Sequence, residues 1–264
     1  VGQAPVKFLW FPGQPHGLQK ITHQLRKMKE EIKWIDKHLF QKEDERNEAL
    51  KEESPLATQI LLSKSRSDMG YYGTMNGGSL VPDMVELGDD TIALGRFEVT
   101  VAQYSAFKEA DFDAIDANRP MLGLSKADIE AYLSWLSQKT GATYRLPNAK
   151  EVEKLHDLGR KEAKHQNNLN FWAGYELTAT DVEALQAELG KIEGSLVKSV
   201  GSHAVVKVKD KVMLFDLGGN AAEYYLENGQ IKTYDYSAYD FVDPFSETSS
   251  TVPANTGFRV VREK

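Results

Sequence analysis

The sequence predicts a mixed α+β domain preceded by a long helical segment. Three observations predict it. Apolar residues recur at alternating steps of three and four from Leu18 to Leu39. A polar, glycine-containing stretch follows from Ser63 to Gly78. Beyond Val81, short strand-like runs alternate with amphipathic helical patterns. The expected boundaries are 1–62 for the helical segment, 63–80 for a linker or long loop, and 81–264 for the domain.

The first element is carried by Leu18, Ile21, Leu25, Met28, Ile32, Ile35 and Leu39. This is an a/d heptad seam with charged residues between its members. Two readings stand: a coiled coil, or an amphipathic helix lying on the chain's own domain. Lys42 and Arg46 occupy the next seam positions and break it, and Ser54-Pro55 ends any continuation. In the domain, Met84–Leu87 and Ile92–Leu94 read as strands around an Asp89-Asp90 turn. Val101–Glu109 reads as a short helix. Ser125 caps a helix whose inner face is Ile129, Tyr132, Leu133 and Leu136, and Gly141 ends it. Asn148 opens another helix, with Val152 and Leu155 inward. Thr180–Leu189 is helical, 204–214 alternates like a hairpin turning at Lys209-Asp210, and 257–262 is a terminal strand.

Composition excludes several classes. The 264 residues hold 32 Lys and Arg against 39 Asp and Glu, a net charge of −7, so a basic nucleic-acid surface is not expected. There is no cysteine, which removes disulfides, thiol catalysis, iron–sulfur clusters and thiolate zinc sites. No apolar run reaches the roughly 20 residues that span a bilayer. The opening Val1-Gly2-Gln3-Ala4-Pro5 carries neither an initiator Met nor a signal-peptide pattern, so a processed chain or a piece of a longer one is expected. The location stays open, with a periplasmic or extracellular one favoured over a cytoplasmic one.

Four segments carry a family resemblance. Gly95-Arg96-Phe97-Glu98-Val99-Thr100 with Gln103-Tyr104 is the first. The second runs from Leu124-Ser125 through Tyr132, Trp135-Leu136-Ser137 and Lys139-Thr140-Gly141 to Tyr144-Arg145-Leu146-Pro147 and Glu151. The third is Leu214-Phe215-Asp216-Leu217-Gly218-Gly219-Asn220-Ala221-Ala222-Glu223-Tyr224, and the last Gly257-Phe258-Arg259-Val260-Val261-Arg262. Their types and order resemble the formylglycine-generating-enzyme (sulfatase-modifying-factor) domain. The resemblance spans about Val81 to Lys264. It implies a variant of the C-type-lectin-like fold, of bacterial type. The family's oxidases act through a cysteine pair that this chain lacks. Its arginine–glycine–glycine–serine–tryptophan segment is also missing, and Ala222 and Tyr224 replace two motif tryptophans.

In the family the third segment wraps a structural calcium. The resemblance therefore implies calcium held by the side chains of Asp216 and Glu223 and the carbonyls of Gly219 and Ala221. Such a donor set suits a hard cation. The alternative is that the two carboxylates hold backbone amides with no metal. His156 and His165 sit among charged residues and read as a solvated helix face. Arg145, Glu151, Glu98 and Arg259 read as ion-pairing residues that pin loops. Tyr225, Tyr234, Tyr236 and Tyr239 fall in a Tyr/Asp/Ser-rich stretch and are candidate ligand-binding residues, since tyrosine offers contact area at low entropic cost. Packing over the domain's own core is the other reading of them.

The expected function is a non-catalytic binding or assembly module. It would recognise a protein or other ligand through the domain's loop surface, and a protein partner or a second copy through the Leu18–Leu39 helix. The alternative is a metal-dependent oxidase using non-cysteine chemistry.

Overall fold

A computed structural model describes residues 6–13, 17–42, 54–86, 92–192, 195–208, 212–234, 237–241 and 253–263. The chain divides into two compact units, Val1–Lys51 and Glu52–Lys264.

The first unit holds helix α1, Ile21–His38. Its charged positions are tied locally. Arg26 reaches Glu30 at 2.7 Å and Lys27 reaches Glu31 at 2.7 Å, both one turn on. Lys7, from the segment ahead of the helix, also pairs with Glu30. The ring of Phe11 lies 5.3 Å from that of His23. The apolar seam stays exposed, at 80 % for Ile21, 70 % for Leu39 and between 44 % and 54 % for Leu25, Met28, Ile32 and Ile35. No helix among the described residues is long and apolar enough to cross a membrane.

The second unit begins with α2, Pro55–Lys64, capped by the Ser54 hydroxyl on the Ala57 amide. Leu62 of α2 packs with Tyr72, Phe97 and Phe215. The sequence boundary at 62 therefore cuts a helix that belongs to the domain. The stretch expected as a linker is likewise built in. Strands β1 (Thr74–Asn76) and β2 (Ser79–Val81) pair antiparallel across Gly77-Gly78, and Tyr72 and Leu80 are buried. Glycine there closes a tight hairpin, so its presence marked a turn.

Next come β3 (Met84–Glu86), β4 (Ile92–Gly95), α3 (Val101–Lys108), α4 (Lys126–Thr140), β5 (Tyr144–Arg145) and α5 (Ala149–Gly159). The Asp89-Asp90 turn lies outside the described residues. Ser125 accepts the Asp128 amide at 3.1 Å to cap α4, a contact of about 1 kcal/mol. The buried face of α4 is Ile129, Tyr132, Leu133 and Leu136. It meets Tyr104, Tyr144, Phe258 and Val260 in the largest core cluster. Asn148 and Glu151 cap α5 reciprocally. Glu151 also receives both terminal guanidinium nitrogens of Arg145 at 2.8 Å.

The chain continues through α6 (Leu169–Ala173), α7 (Ala179–Leu189), β6 (Val206–Val208), β7 (Val212–Leu214), β8 (Ala222–Glu227), β9 (Gln230–Tyr234), β10 (Thr256–Phe258) and β11 (Val261–Glu263). β6 and β7 form the expected hairpin, with its Lys209-Asp210 turn outside the described residues. β8 and β9 form a further hairpin around Asn228-Gly229, both with positive φ (51° and 76°). The main sheets have strand orders β3-β4-β11-β5, antiparallel throughout, and β10-β8-β9, in which β10 runs parallel to β8. The terminal strand of the sequence reading is thus two strands in two sheets. The chain changes sheet at Arg259-Val260, where Arg259 turns its side chain inward. The fold is a mixed α+β domain of small sheets and short helices.

Candidate functional site

The residues of the third and fourth motifs meet around one arginine. Arg259 is fully buried. Its Nη2 donates to Glu223 Oε1 at 3.0 Å and to the Phe215 carbonyl at 2.9 Å. Its Nε reaches Glu223 Oε2 at 3.3 Å, and its Nη1 donates to the Gly95 carbonyl at 2.9 Å. Glu98 Oε2 stands 3.8 Å from Nη2. One side chain therefore joins the end of β4, the Phe215–Glu223 segment and the β10–β11 junction.

Glu98, Asp216 and Glu223 are each 1 % exposed. Two of them, Glu223 at 3.0 Å and Glu98 at 3.8 Å, approach one guanidinium nitrogen. Burial pushes the Glu98 carboxyl well above the ordinary range, Asp216 adds to this, and Arg259 opposes it. Burial also raises Asp216, against the pull of His203 and the Gly201 amide. Burial works against the Arg259 charge, but the Glu223 carboxylate counters this and holds the guanidinium protonated. Glu98 Oε2 and Asp216 Oδ1 are buried without a hydrogen-bond partner. A carboxyl that keeps its proton lowers the cost of leaving such an oxygen dry.

The loop between β7 and β8 owes its shape to backbone. Asp216, Gly219 and Asn220 all have positive φ, at 58°, 113° and 63°. Gly219 lies against Asn167, whose carbonyl oxygen would stand 2.4 Å from a Cβ added at 219. Only glycine fits there. The Asn167 amide donates to the Gly218 carbonyl at 2.6 Å, and the Asn220 amide donates to the Asn167 carbonyl at 3.2 Å. Asn220, fully buried, sends its side-chain amide to Glu98 Oε1 at 3.2 Å and accepts the Lys198 amide at 2.8 Å. Sequence reasoning passed over Asn167 and Asn220. The run Gly218-Gly219-Asn220 was the signal, since asparagine tolerates the left-handed region and bonds backbone locally.

The four expected calcium positions are adjacent, and both of their carboxylates already have partners. Glu223 holds Arg259 and accepts the Tyr234 hydroxyl at 2.5 Å. Asp216 Oδ2 accepts the Gly201 amide at 2.6 Å, leaving only Oδ1 uncommitted. Ala221 is fully buried, and Gly219 is pressed on Asn167. Among the described residues no group of three or more His, Asp or Glu side chains could hold a metal ion. As arranged, Asp216, Gly219, Ala221 and Glu223 do not fit a calcium shell, because a guanidinium already neutralises one of the two carboxylates.

The tyrosines divide. Tyr234 is buried with its hydroxyl on Glu223. Tyr239 accepts the Leu196 amide at 2.9 Å through its hydroxyl. Tyr225 is half-buried on β8, edge-on to Tyr234 at 5.8 Å. Tyr236 lies outside the described residues. Exposed aromatic surface sits instead on and after α6, at Phe171, Trp172 and Tyr175. The Trp172 ring lies 6.2 Å from that of His203. A groove of about 490 Å³ lies elsewhere, floored by Leu94, Leu155, Leu158 and Val208 and rimmed by Lys154, Lys161 and Lys207.

His156 and His165 are buried, at 8 % and 4 % exposure, and not on a solvated face. Their charged neighbours in sequence misled. α5 turns His156 inward with Val152 and Leu155, at helical spacing, and a 3₁₀ turn at 163–165 points His165 inward.

The sealed cluster can neutralise, orient and cross-link. It presents no charged group to a substrate, because the carboxylates and guanidinium are removed from solvent.

No protein-family model matches the chain, and no curated protein matches it. Solved structures do. PvdO from Pseudomonas aeruginosa matches at 18 % identity and a TM-score of 0.37, covering 66 % of this chain and 80 % of that one. CarF matches at 17 % and 0.36, covering 72 % and 96 %. Treponema denticola variable protein 1 matches at 16 % and 0.38, covering 72 % and 95 %.

Proposed function

We propose that the chain is a non-catalytic binding or assembly module. Its second unit is a formylglycine-generating-enzyme-like domain of the C-type-lectin-like kind, and its first unit docks a protein partner or a second copy through α1. The observation that carries this reading is the exposed seam. Six large apolar side chains, Ile21, Leu25, Met28, Ile32 and Ile35 on α1 and Leu39 at its C-cap, lie open at heptad spacing. Such a stripe gains most by burial against another helix. The chemistry-bearing residues of the retained motifs support it from the other side, since they are buried and paired with one another. The exposed aromatic side chains at Phe171, Trp172 and Tyr175 offer a second contact surface on the domain.

The test is light scattering on the full chain and on a Leu25→Lys/Ile32→Lys variant. Two lysines on the seam are expected to lower the measured mass, or to abolish capture of a partner that the parent chain holds. A folded variant with both readouts unchanged overturns the docking role of α1. Oxygen uptake by chain reconstituted with iron or copper would favour the oxidase reading instead.

A further inference from the structure

Both ring nitrogens of His165 face backbone carbonyl oxygens. Nδ1 lies 3.1 Å from the Gly159 carbonyl and Nε2 lies 3.2 Å from the Val205 carbonyl. A carbonyl only accepts. A neutral imidazole carries one N–H and one lone pair, so it satisfies one of these carbonyls and sets a lone pair against the other. Only the imidazolium, with two donors, satisfies both.

Gly159 is the last residue of α5, where helix carbonyls lack intrahelical partners and the helix dipole is negative. Glu162, in the same turn as His165, interacts with it electrostatically. Lys164 is occupied by Glu162 at 2.7 Å, and Arg160 by Asp157 at 3.5 Å. The remaining titratable or charged groups on the packed elements are Lys150, Glu151, Glu153, Lys154 and His156 on α5, Lys161 just after it, His203 ahead of β6 and Lys207 on β6.

The two carbonyls belong to different elements. Gly159 ends α5, and Val205 immediately precedes β6. The His165 carbonyl in turn accepts the side-chain amide of Asn167 at 2.8 Å. Asn167 is the residue that bonds Gly218 and Asn220 through its backbone. A chain of contacts therefore runs from the imidazole to the loop that carries Asp216.

We propose that His165 is a proton-operated clamp: as the imidazolium it ties the end of α5 to the start of β6 and keeps Asn167 seated on the Gly218–Asn220 loop. Loss of the proton removes one of the two bonds and places a lone pair against a carbonyl. The clamp is closed while the ring carries both protons and opens when it loses one. This inference is independent of what the module binds.

The experiment is an NMR titration of the ¹⁵N-labelled full chain between pH 5 and 9. The His165 ring nitrogens report protonation, and hydrogen-exchange protection, corrected for intrinsic rates, reports the loop. The amides of Asn167 and Asn220 are expected to lose about tenfold in protection with the same midpoint as His165 deprotonation, the factor for one lost hydrogen bond. In His165→Gln, which has one donor nitrogen in place of two and does not titrate, that step should be absent. A Glu162→Gln variant should keep it. Amide protection that is flat while His165 titrates, or a step that persists in His165→Gln, overturns the clamp. If His165→Gln does not fold, the titration of the parent chain decides alone.

Discussion

Tyr234 donates its hydroxyl to Glu223 Oε2 at 2.5 Å, on the same carboxylate that Arg259 binds from within the fold. A tyrosine expected on a ligand-facing loop thus closes the back of a buried ion pair. β9 lies beside β8, with Tyr234 directly opposite Glu223 in the antiparallel register.

Removing the guanidinium should be the most damaging single change at this centre. Arg259→Met leaves Glu223 without its cation and the Gly95 and Phe215 carbonyls without donors. Breaking a buried pair in this way costs about 3–5 kcal/mol. The urea midpoint should fall accordingly, and Arg259→Lys should recover only part of it, since an ammonium lacks the planar fork. A change below about 1 kcal/mol, the range of an exposed pair, would mean that the cluster is not buried in solution.

Glu98 gives the opposite sign. Its carboxyl is raised by burial and by Asp216, so the folded state holds a proton that the unfolded state releases. Stability from this group is full below the unfolded carboxylate range and declines as pH rises through the folded value. Glu98→Gln keeps an oxygen for Asn220 and cannot ionise. It should match the parent near pH 4 and be the more stable at pH 8, as read by denaturant midpoints at both values. A Gln variant that loses more stability at pH 8 than at pH 4 would show that Glu98 is needed as an anion.

Local signals made much of the fold legible. Ser125, the apolar face of α4 and Gly141 mark one helix completely, because cap, stripe and stop are all contained within a short stretch. Asn148 with Glu151 marks the next. The Asn228-Gly229 hairpin was readable in principle, since this dipeptide favours positive φ at both residues, but the Tyr/Asp/Ser-rich composition around it obscured the alternation. The site was legible only as residue types. Glu98, the Asp216–Glu223 segment and Arg259 stand far apart in sequence, and no period connects them. Their assembly depends on where β4, β8 and the β10–β11 junction meet. His165 shows the same limit, since its two acceptors come from different elements.

Gly219 tests the loop by shape alone. Gly219→Ala places a methyl group 2.4 Å from the Asn167 carbonyl at a φ of 113°. The bridge to Asn167 must open, or the loop must move. A loss of about 1–3 kcal/mol is expected, with hydrogen-exchange protection falling first at Asn167 and Asn220. Unchanged stability and protection would show that the loop has room the structure does not give it.

Calcium separates the family resemblance from the geometry. The resemblance places an ion on Asp216, Gly219, Ala221 and Glu223. The geometry gives Glu223 to Arg259 and Tyr234, and leaves one oxygen of Asp216 uncommitted. A calcium ion with Glu223 in its shell would have to displace a guanidinium held by two carbonyls as well as by that carboxylate. A ligand at a hundredfold excess over its Kd stabilises the folded state by about 2.7 kcal/mol. That is a shift of several degrees in Tm for a domain of this size. Millimolar calcium added to chelator-treated protein is therefore expected to leave the Tm unchanged. A rise of several degrees that Asp216→Ala abolishes and magnesium does not reproduce would establish the ion, since magnesium demands a compact octahedral shell and keeps its waters. Arg259 would then be a residue that moves aside for calcium, and the buried ion pair a state of the metal-free chain.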